Sequence, residues 1–92
     1  MQVLEEAKIN EKINSLKGWE YKNKQIGKEY ELKDFKEALS FVNKIGDRAE
    51  EMDHHPDIFL HDWNKVKITV STHSAGGVTE NDFKLAEKIE NI

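Results

Sequence analysis

The residues able to move protons fall into one spaced pattern. His54 and His55 stand together before Pro56, Trp63 follows, then His73 after a strand-like run, then Asp82. Imidazole both gives and takes a proton near neutral pH, with an ordinary pKa of about 6.5. Several imidazoles at turns and element ends, with carboxylates near them in sequence, point to general acid–base chemistry. Neighbouring side chains diverge along a helix or a strand. At a helix end before a proline, however, both histidines can face one cleft. Taken singly, each residue has a plainer reading. His54 and His55 would be a surface pair, His73 a solvated loop residue, Asp82 a helix-cap partner, Trp63 a core aromatic and Thr72 an ordinary strand residue.

The elements that position these residues follow from periodicity. Leu4, Ala7, Ile9, Ile13 and Leu16 recur at roughly helical spacing, which predicts a helix over 3–15 that stops near Gly18. Trp19 and Tyr21, then Ile26, Tyr30 and Leu32, alternate with polar residues around a turn at Asn23–Gln25, which predicts a β-hairpin. Asp34 and Glu37 look like a capping box. The stripe Phe35, Ala38, Leu39, Val42, Ile45, Ala49, Met52 predicts a long helix. Gly46 within it costs about 1 kcal/mol relative to Ala, so a close approach by another element is expected there. Pro56 ends the helix, and His55 before it is biased toward extended backbone. Strands are predicted over 57–62 and from Lys65 to Thr72. In the second, Val66, Ile68, Val70 and Thr72 face one way and Lys65, Lys67, Thr69 and Ser71 the other. Gly76-Gly77 marks a turn, and Thr79 with Asp82 marks a last helix with Phe83, Ala86, Ile89 and Ile92 on its buried side. The fold class is therefore α+β, in the order α-β-β-α-β-β-α. A four-stranded, mostly antiparallel sheet with helices packed on one face is its simplest architecture.

Composition narrows the function. Ninety-two residues make one domain, 1–92, with a modest core. A net charge of −4 argues against direct nucleic-acid binding, which wants a basic stripe for phosphates. The absence of cysteine excludes disulfides, thiolate zinc sites and thiol nucleophiles, and fits a cytoplasmic setting. Met1 to Leu16 is charged and amphipathic, unlike an apolar leader, and no apolar run approaches the ~20 residues of a membrane helix.

Taken together, Glu50, His54-His55-Pro56, Trp63, Thr72-His73, Gly76-Gly77, Thr79 and Asp82 resemble the signature of the pterin-4a-carbinolamine dehydratases (4a-hydroxytetrahydrobiopterin dehydratases). Gly18-Trp19 and Phe35, Ala38 and Phe41 on the long helix add to the likeness, which covers almost the whole chain. Only Val78 departs from the pattern, as a packing variation. The resemblance implies a lyase that removes water from a 4a-hydroxytetrahydropterin to give the quinonoid dihydropterin, in tetrahydrobiopterin recycling. It implies catalysis by His54, His55 and His73. His54 and His73 form the acid–base pair, with their roles left open, and His55 orients substrate or shares a proton. It implies that Asp53, Glu50 and Asp82 fix imidazole tautomers or bind the amide-like edge of the pterin. It further implies that the backbone of Ser71 and Thr72 hydrogen-bonds the flat ring and that Trp63 packs beside the site. No metal or cofactor is required. The implied partners are the pterin and further copies of the chain, as a homodimer or homotetramer. A small core and open sheet edges supply the physical motive for assembly. Three alternatives stand beside this reading: zinc held by His54, His55, His73 and Asp82; a dimerisation or transcriptional-cofactor module; and a dehydratase acting on a different pterin.

Overall fold

The structure is a computed structural model that describes residues 2–92. The elements run α1 (Glu6–Ile13), β1 (Glu20–Lys22), β2 (Gln25–Glu31), α2 (Phe35–Met52), β3 (Asp57–His61), β4 (Lys65–Val70) and α3 (Glu80–Glu90). The predicted order is observed. The four strands form one sheet in the order β1-β2-β4-β3, with every neighbouring pair antiparallel.

Alternation places the core on one face of the sheet. Ile26 pairs with Val70, and Ile58 and Leu60 pair with Ile68 and Val66. Ile26, Val66, Ile68 and Val70 are buried and share a cluster with Phe41 and Ile45 of α2 and Phe83, Leu85, Ala86 and Ile89 of α3. The intervening residues, among them Glu29, Lys67 and Phe59, pair with each other on the opposite face.

Three local features differ from the sequence expectation. α1 is shorter than 3–15. Its first residues are extended, with Leu4 donating its N–H to Val78 O at 2.9 Å, and Glu5 makes no side-chain cap. The hairpin turn is carried by Asn23 and Lys24, both at positive φ (54° and 61°). That is the geometry of tight hairpin turns, in which the backbone twist matches the strands. At Gly46 no neighbouring element comes close: a Cβ built there would have nothing within 4 Å. The glycine instead borders a surface cleft of about 400 Å³, shared with Val42, Asn43, Asp47, Glu50, His55 and Ile58.

α3 is tied down at both ends. At its N-terminus Thr79 and Asp82 form a capping box. At its C-terminus, Glu90 Oε2 accepts from Lys28 Nζ (2.8 Å), from Trp19 Nε1 (3.2 Å) and from the Tyr30 hydroxyl. Burial, followed by the adjacent Glu90 carboxylate, pushes the Tyr30 phenol well above its ordinary range. For Glu90, burial favours the neutral form. The hydrogen bonds from Lys28, Tyr30 and Trp19 outweigh it, and the carboxyl lies below its ordinary value. Among the described residues, no helix is long and apolar enough to cross a membrane.

Candidate active site

His54 reaches its place through a strained residue. α2 ends at Asp53, which adopts left-handed backbone (φ 50°, ψ 44°) and donates its N–H to Ala49 and Glu50 carbonyls. Aspartate tolerates this region better than most side chains. The next N–H, that of His54, also returns to Ala49 O at 3.1 Å. Pro56 then forbids further helix, and β3 begins at Asp57. Both histidines follow the Asp53 turn, and their side chains part company. His54 enters the protein, and His55 stays at the surface with its Nε2 2.6 Å from Glu50 Oε2.

Asp82 arrives from the other direction, on the first turn of α3. Its carboxylate is fully buried, at 0% exposure. Oδ1 lies 2.6 Å from His54 Nε2, whose side chain is itself only 12% exposed. Oδ2 accepts the Thr79 backbone N–H at 2.7 Å and the Thr72 hydroxyl at 2.9 Å. Thr72 Oγ1 also lies 2.8 Å from Thr79 Oγ1. Among the described residues no buried side-chain polar atom lacks a partner. An ionised carboxylate only accepts hydrogen bonds. With Asp82 ionised and the ring neutral, Nε2 is the nitrogen that carries the hydrogen, and Nδ1 keeps a lone pair. The tautomer is thus assigned by its hydrogen-bond partner.

The third imidazole belongs to the loop that leaves this knot. Thr72 forms an isolated bridge with Gly77, its N–H donating to Gly77 O at 2.8 Å. The bridge closes a loop over residues 73–76 in which Gly76 sits at φ +78°, where a side chain would be strained. His73 is the first residue of that loop, one peptide from a buried anchor, and is itself exposed. A rigid base therefore presents a solvent-open imidazole.

The structure does not gather all the expected residues equally. His54, Thr72 and Asp82 meet directly. His73 and Ser71 flank Thr72 in the chain. Asp53 shapes the turn and is exposed, and Glu50 and His55 form an exposed pair at the rim of the 400 Å³ cleft. Trp63 does not pack beside this centre and does not enter the core. It is 60% exposed, at φ 58°, in the turn between β3 and β4. All of β4 separates it from Thr72, at ~3.3 Å of rise per residue. The Thr72 hydroxyl serves Asp82, a contact the sequence does not predict. The Thr79 hydroxyl is an addition to the expected site. Its sequence signals, the Thr79-x-x-Asp82 spacing shared by any capped helix and a place in the family signature, give it no site role. The zinc alternative lacks a ligand set. Among the described residues, no group of three or more His, Asp or Glu side chains converges in a way that would hold a metal ion.

Comparison with known proteins identifies the family. The family model described as "Pterin 4 alpha carbinolamine dehydratase" matches residues 2–92. The chain belongs to this family. Two relatives carry the provisional name pterin-4-alpha-carbinolamine dehydratase. The one from Sulfolobus acidocaldarius is 46% identical, with 97% of each chain covered. The one from Sulfurisphaera tokodaii is 44% identical, over 100% of this chain and 98% of the relative. The crystal structure of a transcriptional coactivator/pterin dehydratase from Brucella melitensis superposes with a TM-score of 0.92 at 37% identity, covering 98% of this chain and 97% of that one. A pterin dehydratase-like protein described as a RuBisCO assembly factor in the alpha-carboxysome shares the fold alone, with a TM-score of 0.63 at 19% identity. Membership of the dehydratase family makes this chain one of a group of hydro-lyases.

Proposed function

We propose that this dehydratase-family chain removes water from a 4a-hydroxytetrahydropterin by histidine acid–base catalysis, returning quinonoid dihydropterin during cytoplasmic recycling of tetrahydrobiopterin. The observation that carries the mechanism is the contact between buried Asp82 and His54 Nε2. When the ring is neutral, the contact directs its hydrogen to Nε2 and leaves Nδ1 free to accept a proton, as a general base requires.

The reaction needs two proton movements and no net change in charge. The lone pair of the ring nitrogen beside the carbinol carbon forms a C=N bond as the C–O bond breaks. The departing oxygen takes a proton and leaves as water. The ring nitrogen then loses its own proton, and the neutral quinonoid product remains. Hydroxide is a poor leaving group, so the acid acts on the oxygen. In this reading His73, open to solvent on its loop, protonates the hydroxyl, and His54 Nδ1 accepts the proton from nitrogen. Each positioned group is worth roughly 10²–10⁴ in rate. Once His54 is charged, Asp82 stabilises the imidazolium. The pair His55–Glu50 at the rim and the strand-end backbone of Ser71 and Thr72 would orient the flat heterocycle.

The family reading also includes self-association. Phe35 and Leu39, four residues apart on α2, are 49% and 44% exposed and form an apolar stripe that a second copy would cover.

Stopped-flow absorbance tests the assignment. Freshly generated 4a-hydroxytetrahydropterin should lose water faster with catalytic amounts of the protein than without. His54→Ala and His73→Ala should each lower turnover by at least about tenfold, a conservative share of what an acid or base supplies. No acceleration by the wild-type protein would refute the proposal.

A further inference from the structure

Counting hydrogens gives the network around Asp82 a direction. A threonine hydroxyl owns one hydrogen. That of Thr72 goes to Asp82 Oδ2, at 2.9 Å. Thr72 Oγ1 therefore has none left for Thr79 Oγ1, 2.8 Å away, and Thr79 must be the donor of that bond. Thr79 Oγ1 in turn accepts the Asn81 N–H at 3.3 Å. Donation runs one way, from the first turn of α3 through Thr79 and Thr72 into Oδ2 of Asp82. With Oδ2 committed to two donors, Oδ1 is left to face the imidazole of His54 at 2.6 Å. Thr79 and Asp82 are 0% exposed and Thr72 7%, so bulk water has no access to replace a missing link.

Helix capping alone does not account for this arrangement. Capping asks Thr79 to accept a backbone N–H, and serine, asparagine or aspartate serve as well. The bond to Thr72 asks it to donate as well. A hydroxyl does both, and an acceptor-only aspartate does not.

We infer that Thr79 is a positioning residue for proton transfer: its hydroxyl, acting through Thr72, fixes the Asp82 carboxylate and through it the Nε2–H tautomer of His54. Thr79 does not touch substrate. The effect on turnover rests on the dehydration proposed above, whereas the effect on the imidazole does not.

The test combines ring-nitrogen NMR of ¹⁵N-histidine-labelled protein with stopped-flow kinetics. Wild type should show His54 as a single tautomer, with a pyrrole-type Nε2 and a pyridine-type Nδ1. In Thr79→Val the two nitrogen signals should move toward each other as the tautomers mix. kcat should fall about tenfold, a part of what a positioned base contributes, with KM nearly unchanged. Thr79→Ser should restore both readouts. Thermal melting checks the fold. If Thr79→Val does not fold, Thr72→Val breaks the same chain at a residue that caps no helix and should give the same spectrum. An unshifted His54 signature in a folded Thr79→Val or Thr72→Val protein overturns the inference. Mixed tautomers in the variants beside an inactive wild type would support the inference and dismiss the dehydratase mechanism.

Discussion

Asp82 and His54 lie 28 residues apart in sequence, yet Asp82 Oδ1 stands 2.6 Å from His54 Nε2 in the least exposed part of the site. The contact joins the start of α3 to the exit of α2, so it is a tertiary tie and, in the proposed mechanism, the orientation of the base. Removing the carboxylate in Asp82→Ala strands the Thr79 N–H and the Thr72 hydroxyl without acceptors. Each buried orphan costs about 1–3 kcal/mol, and the two share a network. A loss of about 2–4 kcal/mol in urea unfolding is expected. A loss under about 0.5 kcal/mol, the level of an ordinary surface change, would show that the knot adds nothing to the fold.

His55 should behave differently from its neighbour. Its pair with Glu50 is exposed on both sides, with side-chain accessibilities of 55% and 78%, and exposed pairs contribute little to stability. His55→Ala should leave the melting temperature nearly unchanged. Steady-state kinetics should show the main effect in KM, up to about tenfold, as expected for lost substrate orientation. A kcat loss as deep as that of His54→Ala would move His55 into the proton-transfer step.

The Glu90 clamp gives a pH signature separate from the active site. Its carboxyl sits below the ordinary value of 4.5 because its donors outweigh its burial. A group with a depressed folded pKa stabilises above its unfolded value, and the benefit is lost as pH falls through the folded value. Glu90→Gln should therefore be less stable than wild type at pH 7, by about 1 kcal/mol for a partly exposed cluster. Melting curves of the two proteins should converge below about pH 4. Parallel curves across that window would remove Glu90 from the acid response.

Gly46 offers the opposite kind of change. It lies in the interior of α2, and a Cβ there meets nothing within 4 Å. Gly46→Ala should stabilise the protein by about 0.5–1 kcal/mol through helix propensity. Chemical denaturation at a concentration where the chain is monomeric would measure it. A destabilised variant would mean that space above α2 is filled in the folded protein.

Much of this architecture is legible in the sequence, and the exceptions have physical causes. α2 is readable because Asp34 caps it, with the Glu37 N–H donated to Asp34 Oδ1 at 2.8 Å, and because an apolar stripe runs along its length. β4 is readable because strict alternation gives one buried face. The first turn expected of α1 is absent because Leu4 pairs with Val78, a contact that local periodicity cannot see. Trp63 was misplaced because a large aromatic is normally core, whereas here two left-handed residues, Asp62 and Trp63, turn it outward. The sequence offers Asp82 as one of three carboxylates that fix imidazole tautomers, and leaves open which imidazole it meets. No spacing rule joins a helix exit to a helix entrance 28 residues on. The Thr79 donation to Thr72 was invisible for the same reason, since the capping spacing that reveals Thr79 says nothing of its second bond.

In the proposed mechanism Asp82 holds His54 in the tautomer that takes a proton, and Asp82→Asn tests this most directly. An asparagine keeps the shape but can turn its NH₂ toward Nε2, which would move the imidazole hydrogen to Nδ1 and block the base. Stopped-flow dehydration of 4a-hydroxytetrahydropterin by folded Asp82→Asn protein should show kcat reduced by about 10²–10³, within the range of a lost general base. A kcat within about twofold of wild type would contradict the mechanism.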